Sequence, residues 1–200
     1  NTAAPNAGIT NNSGTSTLTC SQASISLTAS GGSSYVWSGG LGNTANATAT
    51  ASGNYTVTVT GSNGCSATAS LAITQNTTAP TAGITNNSGS TVLTCSQNSI
   101  GLTATGGATY TWSGSLGSNA NASVTLPGVY VVTVTAANGC KSNATITITQ
   151  NTTAPNAGIT NNSGTTLLTC VQTSISLSGN GGSSYLWNNG LGTNTTVSVV

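Results

Sequence analysis

The sequence predicts an all-β protein built as a tandem array of β-sandwich repeats, about seven strands each. Three observations carry this. Two-residue alternation fills the segments between turns, an Asn-Gly hairpin signal recurs, and the whole pattern returns at an interval of 75 residues. Cys20, Cys95 and Cys170 keep that interval, as do Trp37, Trp112 and Trp187, the pair Cys65 and Cys140, and the AGITNNSG segments at Ala7, Ala82 and Ala157. The expected repeats are 1–75, 76–150 and 151–200, the third lacking its last two strands.

Each repeat opens on a Pro-containing connector: Asn1 to Pro5, Gln75 to Pro80 and Gln150 to Pro155. Links this short and stiffened predict a semi-rigid array. Ala7 to Thr10 then reads as a brief strand carrying Ile9, closed by the turn signal Asn11-Asn12-Ser13-Gly14, and a second short strand carries Leu18 and ends at Cys20. Ile25, Leu27 and Ala29 alternate with Ser24, Ser26 and Thr28 in a third strand that ends at Gly31-Gly32. Tyr35-Val36-Trp37 begins the central strand. Trp37, Trp112 and Trp187 are the largest side chains available to a core and read as core; exposed Trp could instead stack on a sugar or base, but a single Trp per repeat favours the core.

Gly39 to Asn46 reads as a Gly/Asn-rich loop, followed by a strand carrying Ala47, Ala49 and Ala51, whose second copy has Ala122, Val124 and Leu126 and whose third has Val197 and Val199. The closing hairpin spans Gly53 to Thr74. Tyr55, Val57 and Val59 alternate with threonines, Asn63-Gly64 turns the chain, and Ala67, Ala69, Leu71 and Ile73 return. The same hairpin runs from Gly128 to Thr149 around Asn138-Gly139-Cys140.

A 75-residue repeat without Phe or Met, with many inward positions filled by Ala, buries little apolar surface and needs a further source of stability. The cysteines supply a candidate. One pair falls in each complete repeat, which predicts Cys20–Cys65 and Cys95–Cys140 disulfides, with the partner of Cys170 outside the sequence. Each would restrict the unfolded chain by about 4 kcal/mol. Free or metal-binding thiols are the alternative, but two Cys with no His or acidic partner do not complete a tetrahedral zinc site. Disulfides imply an oxidising, secretory compartment.

Charge excludes much else. The chain holds one Lys, Lys141, and no Asp, Glu, Arg or His. That leaves no basic footprint for nucleic acid, no carboxylate cluster for calcium, and no acid or base to activate the abundant Ser and Thr hydroxyls. No catalytic residue, metal ligand or cofactor site is expected, and the chain does not read as an enzyme. An almost uncharged surface also lacks the self-repulsion that keeps proteins apart, so self-association is expected. No apolar run is long enough to span a bilayer. No signal peptide precedes Asn1, so secretion and anchoring segments are expected outside this sequence or already removed.

Glycosylation sequons are numerous, for example at Asn11, Asn46, Asn54, Asn76, Asn121 and Asn143, and are about as frequent as chance gives in a chain so rich in Ser and Thr. Threonines alternating at Thr56, Thr58, Thr60 and at Thr145, Thr147, Thr149 suggest an ice-matching array, although ordinary strand alternation writes the same letters and a twisted sandwich does not present a flat one.

The Gly53-Asn54-Tyr55 entry to the hairpin resembles the tyrosine corner of immunoglobulin-like (Ig-like) domains, with Tyr130 as its second copy, although the usual intersheet Cys position on that strand is Val57. Together, GNYTVTVTGSNGCSATASLAIT and LTCSQASISLTASGG with YVWSGG resemble the Ig-like or PKD-like repeats of giant Bacteroidota cell-surface adhesins, including gliding-motility adhesins exported by the type IX system. The resemblance covers the whole chain. It implies an extracellular, cell-surface, filamentous protein that contacts other copies, surfaces or surface glycans. The acidic turn residues common in such repeats are missing, and Ser38-Gly39-Gly40 stands where the PKD signature would follow the Trp, so calcium stiffening does not carry over. The function expected is therefore an extracellular structural and adhesive fibre. The alternative is a carbohydrate-binding module using the Gly39 to Asn46 loop and Trp37.

Overall fold

The computed structural model describes residues Thr2 to Val200. It contains strands and turns, and among the described residues no helix, long and apolar or otherwise. Seven strands form in the first repeat: β1 Gly8–Asn11, β2 Thr17–Thr19, β3 Ile25–Ser30, β4 Ser34–Trp37, β5 Asn46–Ala49, β6 Gly53–Thr60 and β7 Ser66–Asn76. They make two sheets, β1-β3-β5 and β2-β7-β6-β4. All pairings are antiparallel except β2 with β7, which run parallel with Thr17 opposite Thr74 and Thr19 opposite Asn76. This arrangement is an Ig-like sandwich, in which the early chain crosses from one sheet to the other between β1 and β2.

Alternation explains the layering. Ile25, Leu27 and Ala29 point inward from β3 while Ser26 and Ser30 face water, and Tyr55, Val57 and Val59 do the same from β6. Leu27 lies opposite Ala47 and Ile25 opposite Ala49. The small residues on β5 thus leave room for the larger ones on β3 and for Trp37, which is 4% exposed. Tyr55 closes the corner as the sequence predicts: its hydroxyl donates to the Ala51 carbonyl at 3.0 Å.

The second repeat copies the first, with β8 Gly83–Asn86, β9 Val92–Thr94, β10 Ile100–Thr105, β11 Thr109–Trp112, β12 Asn121–Val124, β13 Gly128–Thr135 and β14 Lys141–Asn151 in sheets β12-β10-β8 and β11-β13-β14-β9. It has its own core around Leu102, Trp112, Val132 and Ile148. One expected inward residue is not inward. β12 ends at Val124, and Leu126, beyond its end, is 67% exposed and has a carbonyl that accepts the Tyr130 hydroxyl at 2.9 Å. Ala51, its counterpart in the first repeat, also lies beyond its strand and is exposed.

Residues Asn1–Gln150 form one compact unit and Asn151–Val200 a second. The second unit is a single three-stranded sheet, β15 Gly158–Asn161, β16 Ile175–Asn180 and β17 Thr196–Val199, in the order β15-β16-β17. Ile175 and Val197 on its strands are buried, whereas Ile159 and Leu186 are exposed and Trp187 is half-buried.

Candidate functional site

The element that ties one repeat to the next is built from the end of β2, the connector and a hairpin turn. β2 runs parallel to β7 and Thr19 lies opposite Asn76, so the residue after Thr19 leaves the first sandwich at the connector. Cys20 meets Cys140 there and forms a disulfide with a Cα–Cα distance of 4.9 Å, linking residues 120 apart in sequence. This corrects the expectation of Cys20–Cys65 and Cys95–Cys140.

The physical reason is strand direction. Cys65 precedes Ser66 at the start of β7, and Cys20 follows the residue paired with Asn76 at its end. β7 has 11 residues, so at about 3.3 Å per residue its two ends lie on the order of 33 Å apart. A disulfide bridges Cα atoms no more than about 7 Å apart. The same direction holds in the second repeat, where Thr149 near the end of β14 donates its N–H to the Thr91 carbonyl beside β9, while Cys140 lies at the start of β14. Cysteines of one repeat therefore stand at opposite ends of its sandwich.

Hydrogen bonds fix the junction around the disulfide. Ser21 donates its N–H to the Asn138 carbonyl at 3.3 Å. The Asn138 side-chain amide donates to the Thr78 carbonyl at 3.0 Å and to the Asn76 side-chain oxygen at 3.1 Å, and its own side-chain oxygen accepts the Cys140 N–H at 3.1 Å. The Ser142 hydroxyl donates to the Pro80 carbonyl. Asn138 thus clamps the hairpin turn onto the connector, and the Thr19-Cys20-Ser21 loop seats against the clamp. Cys140 is 2% exposed. Lys141, the single charged side chain, is exposed beside it.

The loop from Gly39 to Asn46 is held by the tryptophan before it. Trp37 Nε1–H donates to the Thr44 carbonyl at 3.0 Å and the Trp37 N–H to the Gly42 carbonyl at 2.9 Å, and Trp112 repeats both bonds with Asn119 and Gly117. Trp37 and Trp112 are buried under the loop they organise, with no ring face offered to a sugar. Tyr55 is buried and Tyr130 half-buried.

Two threonines of the first Thr row are likewise engaged. Thr56 and Thr60 hydroxyls bond the Ser70 and Ser66 hydroxyls across the strand pair at 2.8 and 3.0 Å. Among the sequon asparagines, Asn11 closes its own turn by accepting the Ser13 N–H, Asn46 and Asn121 accept the Thr28 and Thr103 hydroxyls, and Asn76 belongs to the junction. Asn54 and Asn143 stand exposed on β6 and β14. Among the described residues no group of three or more His, Cys, Asp or Glu is assembled as metal ligands.

No protein-family model matches the chain, and no curated protein matches it. Among solved structures it is similar to a chain from a study of how a 1.5-MDa bacterial ice-binding adhesin is retained at the host cell surface, at 15% identity and a TM-score of 0.47, over 100% of this chain and 88% of that one. It is also similar to fibronectin(III)-like modules of Clostridium thermocellum CbhA, at 13% identity and a TM-score of 0.33, over 72% of this chain and 95% of that one. Murine CEACAM1b is similar at 12% identity and a TM-score of 0.32, over 72% of this chain and 100% of that one. The sandwich assignment stands on the strand order itself.

Proposed function

We propose that the chain is a segment of an extracellular structural and adhesive fibre made of tandem Ig-like repeats, of the kind that its sequence resembles in Bacteroidota cell-surface adhesins. The observation that carries this reading is the Cys20–Cys140 bond, which lies between neighbouring repeats and not inside either core. A bond in that position does little for the packing of one sandwich and much for the angle between two. It suits a protein whose task is to transmit position or load along a row of repeats in an oxidising compartment. The absence of Asp, Glu, Arg and His from the sequence agrees with a non-enzymatic role.

A carbohydrate-binding role for the Gly39 to Asn46 loops is the weaker reading, since Trp37 and Trp112 hold those loops closed from within the core. Electron microscopy of the protein before and after reduction tests the fibre reading. Neighbouring repeats held at a narrow range of angles that broadens on reduction support it. An unchanged distribution together with saturable binding on a glycan array replaces it with the module.

A further inference from the structure

The pair Asn138-Gly139 combines a labile sequence with a restrained geometry. Asparagine is a thermolabile residue, and before Gly, which has no side chain to hinder the backbone, its side-chain carbon is open to the next main-chain nitrogen. In that reaction the Gly139 nitrogen gives its proton to base and attacks Asn138 Cγ. An N–Cγ bond forms, the Cγ–Nδ2 bond breaks, and ammonia departs to leave a succinimide ring. Water then opens the ring at either carbonyl, giving aspartate or the isomer whose main chain runs through the side chain. The sum is one side-chain amide and one water giving one carboxylate and one ammonium.

The junction engages each group this reaction needs. The nucleophile is tied, since the Gly139 N–H donates to the Ala136 carbonyl at 2.9 Å. The leaving group is tied, since Asn138 Nδ2 donates to the Thr78 carbonyl at 3.0 Å and to Asn76 Oδ1 at 3.1 Å. The bond from the Cys140 N–H to Asn138 Oδ1 at 3.1 Å acts the other way, because it draws charge from Cγ and readies it for attack. The turn is therefore activated at its carbon and restrained at its two nitrogens. Closing the ring moves Cγ onto the Gly139 nitrogen and Nδ2 away from both oxygens, so the clamp must open first. Ser21 adds a cover. A Cβ on Gly139 would fall 2.7 Å from the Ser21 Cβ and 2.9 Å from the Ser21 nitrogen, and Asn138 and Gly139 are both half-buried.

The disulfide holds this clamp shut. Cys20 follows Thr19, which lies opposite Asn76, so its bond to Cys140 keeps the turn beside the Asn76 and Thr78 oxygens and raises its effective concentration there. We propose that Asn138-Gly139 is a deamidation site guarded by the strapped junction. While Cys20–Cys140 is intact the turn converts slowly; when reduction lets the junction open, Asn138 becomes an aspartate that cannot close the clamp again. A carboxylate has no N–H to donate to Thr78 and Asn76, and it sets negative charge against their oxygens. Each opening is thereby recorded in the covalent chain. The site stands on the junction alone, independently of the fibre reading.

The test is peptide mapping by mass spectrometry of the full chain held at mildly alkaline pH in three states: oxidised, reduced with dithiothreitol, and reduced in guanidinium chloride. The Asn138 peptide of the oxidised protein is expected to convert roughly five- to thirtyfold more slowly than that of the unfolded chain, the range that follows from opening the clamp's hydrogen bonds. Reduced folded protein is expected to convert it faster than oxidised protein. Asn180-Gly181 and Asn189-Gly190 lie in the second unit, outside the strapped loop, and serve as internal references whose rates reduction should leave alone. Conversion in oxidised protein as fast as in the unfolded chain, no acceleration on reduction, or equal acceleration at the reference pairs overturns the proposal. Asn138→Asp, which places the product by mutation, is expected to lower the equilibrium constant for forming Cys20–Cys140 against glutathione. An unchanged constant would show that the converted clamp still closes, and the proposal falls on that result as well.

Discussion

Thr19 lies opposite Asn76, the last residue of β7, and this single pairing determines where Cys20 goes. Had β2 run antiparallel to β7, its exit would face the hairpin turn and Cys65. Running parallel, it faces the connector and the next repeat, and the disulfide becomes a strap between sandwiches.

That assignment separates two cysteines that composition alone treats alike. Cys140→Ser removes the strap. Closing a loop of this length restricts the unfolded chain by about 5 kcal/mol in the chain-entropy model, an upper value because the repeats have separate cores. The denaturant midpoint of monomeric, oxidised protein is expected to fall for Cys140→Ser and to stay unchanged for Cys65→Ser. Equal falls in both would restore the pairing within one repeat.

Stability should be indifferent to acid. With no Asp, Glu or His in the sequence, only the chain ends exchange protons between about pH 3 and 7. Folded and unfolded chains then bind the same number of protons, and the slope of stability with pH is zero. Thermal midpoints at pH 3, 5 and 7 are expected to coincide; a fall of many degrees at the acid end would contradict this.

Tyr55→Phe removes one hydroxyl and keeps the ring. Its 3.0 Å bond to the Ala51 carbonyl anchors the turn before β6. The carbonyl it leaves behind belongs to an exposed residue and can turn to water, so the cost is expected near the low end of the usual range, about 0.5 to 1 kcal/mol. Urea midpoints of wild type and variant measure it, and a variant as stable as wild type would show that packing alone holds the corner.

The strands were legible because burial writes a period of two into the sequence. Ile25, Leu27 and Ala29, or Tyr55, Val57 and Val59, announce a buried face without reference to any partner. The junction was not legible for the opposite reason. Which end of β7 faces Cys20 depends on a parallel pairing of three residues, and a repeat of fixed period spaces Cys20 from Cys65 and from Cys140 with equal regularity. Leu126 shows the same limit at one residue. Its place in the alternation suggests an inward side chain, but the strand ends at Val124, and Leu126 falls in the turn whose carbonyl the Tyr130 hydroxyl holds.

Asn138→Ala tests whether the clamp, and not the cysteines alone, sets the junction. Its side chain holds the turn to the connector through Asn76 and Thr78 and accepts the Cys140 N–H, while its main-chain carbonyl receives Ser21. Alanine keeps the carbonyl and loses the rest. These groups are solvent-accessible, so water replaces part of what is lost and the net cost should be about 1 to 2 kcal/mol. If that cost falls on the bonded junction, the equilibrium constant for forming Cys20–Cys140 against glutathione drops roughly five- to thirtyfold. Asn63→Ala makes the same chemical change in the clamp at Ala3, at the other end of the first sandwich, and should leave that constant where it was. Equal effects from both variants would mean that the substitutions act on the repeats as a whole. No effect from Asn138→Ala would mean that the strand register alone brings Cys20 to Cys140.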